Sequence, residues 1–110
     1  MATMAHEYGH HVQNLTGSIT MQASRYREQQ ADCMAGAYLA WLATDPGYAA
    51  SFDRSLLADR YYALGDPPGT SPSDPNAHGT GAERQRAFFY GWDHSATSGG
   101  MTCLNRTTFS

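Results

Sequence analysis

The chain has 110 residues, a formal net charge of -3 and 41% apolar residues, enough for one domain that buries roughly two-thirds of its unfolded surface. All seven basic residues are arginine, and no basic stripe or charge run points to nucleic acid or to a disordered tail. No apolar stretch approaches the roughly 20 residues of a membrane span, and no signal peptide is legible ahead of the first helix. Two cysteines, Cys33 and Cys103, are too few for a disulfide scaffold but sufficient for one bridge.

In chain order, Met1, Met4, Ala5, Tyr8, Val12 and Leu15 recur at three- and four-residue steps, which predicts a helix with one apolar stripe that stops at Gly17. A second helix is expected from about Ser18 or Met21 to Thr44, ending before Asp45-Pro46-Gly47. A third is expected over Tyr48 to Leu64. Residues 65–79 hold four of the five prolines and read as a stiff loop. Thr80-Gly81-Ala82-Glu83 fits a capping box opening a fourth helix with Phe88, Phe89 and Trp92. The tail from Ser95 has no strong pattern, and no stretch alternates as a strand would. The expected class is all-α, about four helices.

His6-Glu7-Tyr8-Gly9-His10 is H-E-x-x-H. On a helix His6 and His10 lie one turn apart on one face, so both imidazoles reach one ion. Glu7 lies about 100° round from His6, beside the ion rather than aimed at it, as a base acting on water requires. The ligand face, with Gly9 and Gln13 at its edge, lies opposite the apolar stripe. A glycine inside a helix costs about 1 kcal/mol relative to Ala, and here it would admit a neighbouring helix. A solvated histidine-rich helix would need neither the apolar back nor the glycine.

A catalytic zinc site takes three protein ligands and keeps one position open. Glu28 and Asp32 are one turn apart on the second helix, on a face continued by Ala35, Leu39 and Leu42, with small Ala31, Ala35 and Gly36 around them. Glu28 is the expected third ligand. Asp32 is expected to accept a hydrogen bond from a ligand imidazole and fix its tautomer. The plainer alternative, two solvated acids, competes with the fact that Glu7 and Glu28 are the only glutamates before residue 83.

These residues resemble a family. H-E-x-x-H followed by E-x-x-x-D is similar to the gluzincin arrangement, and "AHEYGHHVQNLTG", "EQQADCMAG" and "DPNAHGTGAERQRAF" together resemble the bacterial neutral zinc metallopeptidases. The resemblance implies a Zn2+-dependent hydrolase of peptide or protein substrates, with His6, His10 and Glu28 as ligands and Glu7 as catalytic acid/base. Family members carry a long N-terminal part before this helix, often with a membrane anchor or export segment. The resemblance therefore implies that residues 1–110 are the C-terminal part of a catalytic domain, a zincin-like core without its N-terminal sheet. It further implies an extracytoplasmic or membrane-anchored whole, and slow hydrolysis by a chain lacking the sheet edge that aligns a substrate.

His78, in the loop before the fourth helix, is the candidate oxyanion donor, since gluzincins use a downstream His or Tyr there; a loop histidine bonded to a nearby carbonyl is the plain alternative. His11 and His94 read as solvated or structural, and Arg84 and Arg86 as a solvated helix face rather than a carboxylate clamp. A Cys33–Cys103 bridge would pin the tail to the ligand-bearing helix and suit an oxidising compartment. The rival functions are a non-catalytic zinc-bound helical module and an inactive truncated remnant.

Overall fold

The structure, a computed structural model, describes residues 2–16, 24–47, 53–70, 78–98 and 103. It is all-α: α1 (Ala2–Thr16), α2 (Ser24–Ala43), α3 (Arg54–Ala63) and α4 (Gly81–Ser98), with no strand among the described residues. None of these helices is long and apolar enough to cross a membrane.

α2 is the central helix, packed against α1 on one side and most extensively against α4 on the other. From Gln29 to Ala37 every residue of it is buried. The approach to α4 is backbone to backbone, because a Cβ on Gly91 would collide with the Cys33 carbonyl. One core cluster joins Ala5 of α1, Ala35 and Leu39 of α2, Leu57, Ala58 and Tyr61 of α3, and Phe88 of α4. The Tyr61 and Phe88 rings stack with centroids 4.9 Å apart. A second cluster gathers Cys33, Met34, Ala87 and Cys103, and the two cysteines form a disulfide. That bridge ties residue 103 to the middle of α2.

The helix ends follow local chemistry. Asp53 is extended (φ -104°, ψ 119°) and its side chain accepts from the Leu56 N–H, so α3 starts at Arg54 rather than Tyr48; residues 48–52 lie outside the described residues. The expected start of α2 at Ser18 or Met21 and the Gly17 stop also lie outside them, and α2 ends one residue before Thr44. The capping box is present: Thr80 N–H donates to Glu83 Oε1 (3.0 Å) and Glu83 N–H to Thr80 Oγ1 (3.1 Å). α4 runs through Ser95 to Ser98.

The covered face of α1 is the ligand face, as Gly9 suggests: Ala5, His6, Gly9 and Gln13 are buried, whereas Met4 is 72% and Tyr8 46% exposed. The small residues decide this, since a Cβ on Gly9 would stand 2.6 Å from the Ala31 carbonyl oxygen. α2 can approach that closely only on the Ala5/Gly9 side, and the polar side chains there find partners on α2. The side chains of Val12 and Leu15 lie outside the described residues. One expectation is corrected: Arg84 is 4% exposed and turned into the protein rather than solvated.

Candidate metal centre

α1 and α2 meet along the faces that carry the histidines and the acids. His6 Nε2 lies 2.7 Å and His10 Nε2 3.2 Å from the same oxygen, Glu28 Oε2. The two Nε2 atoms are 3.0 Å apart. His6, His10 and Glu28 thus each offer one ligand atom to a common point, a group that could hold a metal ion. Tetrahedral zinc with bonds of about 2.0–2.1 Å sets neighbouring ligand atoms about 3.3 Å apart. This triangle has to open by only about half an ångström along its shortest edge to reach that size.

Each imidazole is held from behind. His6 Nδ1 lies 2.8 Å from Asp32 Oδ1; an ionised carboxylate only accepts, so Nδ1 carries the proton and Nε2 faces the cluster. Asp32 is fully buried and is gripped in turn by Arg84, with Nε to Oδ2 at 2.8 Å and Nη2 to Oδ1 at 2.9 Å. The third Arg84 nitrogen, Nη1, donates to the Leu64 carbonyl (2.9 Å). His10 Nδ1 lies 2.7 Å from Gln13 Oε1.

The electrostatics favour positive charge at the point where the three ligand atoms meet. Two Nε2 lone pairs facing each other at 3.0 Å repel unless positive charge, a proton or a cation, lies between them and Glu28. Burial alone would lower the His6 pKa, but hydrogen bonds to Asp32 and Glu28 outweigh it and push the value from the usual 6.5 to about 9. The hydrogen bond to Glu28 raises His10 despite its burial. Burial would raise Glu28, yet the two imidazoles, His10 foremost, hold its carboxyl well below the usual range. Burial opposes the charge on Arg84, but Asp32, with smaller help from Glu28 and Tyr61, raises its pKa on balance.

No family model, curated protein or solved structure matches the chain. Its function is therefore read from its own geometry.

The remaining candidates fall at the rim or outside. Glu7 is exposed on α1. His78 is 48% exposed, with Nε2 4.0 Å from Glu28 Oε1 and Nδ1 3.5 Å from Asp66 Oδ1. Asp66 Oδ2 also accepts from the backbone N–H groups of His78 and Gly79 (2.9 and 2.8 Å), which brings the end of the proline-rich loop beside the cluster. His11 and Arg86 are exposed, and His94 stacks on Tyr90 away from the site. Arg84 was missed as a site residue, although a signal was present: 84, 87, 88 and 91 form one helical stripe of Arg, Ala, Phe and Gly, and an arginine on a buried stripe demands a buried acid.

Proposed function

We propose that this chain carries the catalytic site of a zinc-dependent peptidase, with His6, His10 and Glu28 as ligands and Glu7 as general acid/base. The observation that carries the reading is the convergence of two imidazole Nε2 atoms and one carboxylate oxygen, with one imidazole tautomer held by a buried acid. Three protein ligands of this N, N, O type belong to zinc sites that leave a position for reactants. Bound there, zinc would lower the pKa of water towards about 7 and polarise a scissile carbonyl. Glu7 takes the proton of the attacking water on its carboxylate and returns it to the leaving amine. His78, oriented by Asp66, donates to the carbonyl oxygen as negative charge builds on it, a contact worth about 3 kcal/mol. Asp32 and Arg84 keep His6 in one orientation throughout. The Cys33–Cys103 bridge supports an oxidising, extracytoplasmic setting.

One observation favours a second reading. His78 Nε2 stands 4.0 Å from Glu28 Oε1, near enough for a small loop movement to make it a fourth ligand and close a purely structural site. Zinc content and chelator-sensitive peptide hydrolysis, measured on wild type, Glu7→Gln and His78→Ala, separate the two. The peptidase reading expects stoichiometric zinc in all three and no hydrolysis by Glu7→Gln. Loss of zinc from His78→Ala, with no hydrolysis by wild type, would establish the structural site instead.

A further inference from the structure

Among the described residues no acid stands behind His10 as Asp32 stands behind His6; a chain of amides does. Gln13 Nε2 donates to the Arg27 carbonyl (2.7 Å) and to Gln30 Oε1 (2.9 Å). Gln30 Nε2 donates to the carbonyl of Cys103 (3.0 Å). A backbone carbonyl only accepts, so each end of this chain fixes the direction of the amide next to it. The Cys103 carbonyl requires the Gln30 NH2 to face it, which turns Gln30 Oε1 towards Gln13. The Arg27 carbonyl and Gln30 Oε1 both require the Gln13 NH2, which turns Gln13 Oε1 towards His10. His10 Nδ1, 2.7 Å away, must then carry its proton and leave Nε2 for the ligand position. Gln13 and Gln30 are both fully buried, so water does not replace a lost partner cheaply. The last acceptor, Cys103, is held against α2 by its bond to Cys33.

We propose that Gln13, Gln30 and the Cys33–Cys103 disulfide form one positioning relay that sets the tautomer of His10, so that the bridge tunes metal affinity as well as fold stability. The relay rests on His6, His10 and Glu28 being a metal site. Its effect is on ligand orientation, of the kind that changes affinity about 10–100-fold when a supporting partner is lost.

The test is Zn2+ affinity by competition with a chromophoric chelator, with the melting temperature of each metal-free variant beside it. Gln13→Met and Gln30→Met keep the volume and remove the amide; each should bind Zn2+ about tenfold or more weakly, while Gln85→Met on α4 should bind as wild type. The double variant Cys33→Ala/Cys103→Ala should lose a similar factor, and adding Gln30→Met to it should cost nothing further, because both act through the same carbonyl. A bridge that only stabilises the fold gives factors that multiply, or a lower melting temperature with unchanged affinity; either result overturns the relay. Long-range 1H–15N spectra of the Zn2+-loaded protein supply a second readout: the His10 Nδ1–H signal should move in Gln30→Met while the His6 Nδ1–H signal stays. Wild type that takes up no Zn2+ overturns the metal site and the relay together. Tight binding by both wild type and Gln30→Met overturns the relay alone.

Discussion

Asp32 serves two partners, and replacing it by Asn separates them. Its Oδ1 accepts from His6 Nδ1 and Arg84 Nη2, and its Oδ2 accepts from Arg84 Nε. In Asp32→Asn the amide oxygen can keep the first two contacts, but the NH2 then faces the Arg84 Nε–H, donor against donor. A guanidinium 4% exposed is left without its counter-charge, a loss of about 3–5 kcal/mol against total stabilities of about 5–15 kcal/mol. The disulfide, closing a loop with a sequence separation of 70 residues, contributes about 4 kcal/mol in the chain-entropy picture, so the variant should still fold with a melting temperature lowered by at least about 10 °C. Zinc affinity should fall about tenfold, because a neutral acceptor supports the imidazole less well than a carboxylate. Adding Arg84→Met removes the orphaned cation; the double variant should regain most of the stability yet keep the zinc defect. Thermal unfolding and chelator competition on the three variants give both numbers. Recovery of zinc affinity in the double variant would show that the defect came from a distorted helix pair, and that Asp32 does not act on His6.

Glu28→Ala and His6→Ala should each strip zinc almost completely, whereas Glu7→Gln should retain it; metal content after dialysis reads the difference. In metal-free protein the raised His6 pKa makes its stabilisation complete below about 6.5 and lost as pH rises through about 9. The lowered Glu28 pKa acts in the opposite sense, its contribution fading as pH falls below the ordinary carboxylate range. Melting temperature against pH should therefore decline on both sides in metal-free protein, and a flat profile from 6.5 to 9 would contradict the raised His6 pKa. Asp53→Ala removes the cap of α3 and should cost about 1 kcal/mol with zinc affinity unchanged. Gly9→Ala should push α1 off α2, because its Cβ meets backbone rather than a movable side chain, and should lower both stability and zinc affinity.

Local rules made the candidate ligands legible. His6 and His10 share a face because they are four residues apart on a helix, and so do Glu28 and Asp32; the caps at Thr80 and the breaks at proline are equally local. The all-helical class followed from the same periodicities. Gly9 marks the ligand face of α1 as one that a neighbouring helix can approach, but that Ala31 of α2 fills this place is decided only once the two helices are docked. Arg84 and Asp32 are 52 residues apart; the sequence ties Asp32 to a ligand imidazole, but Arg84 reads as a solvated charge until burial sets it against that acid. The amide chain from Cys103 through Gln30 and Gln13 to His10 likewise has no sequence spacing of its own. Its members are hydrogen-bonded because the docking of α1 on α2 and the bridge to Cys103 bring these groups together, and no local pattern encodes where those partners come from.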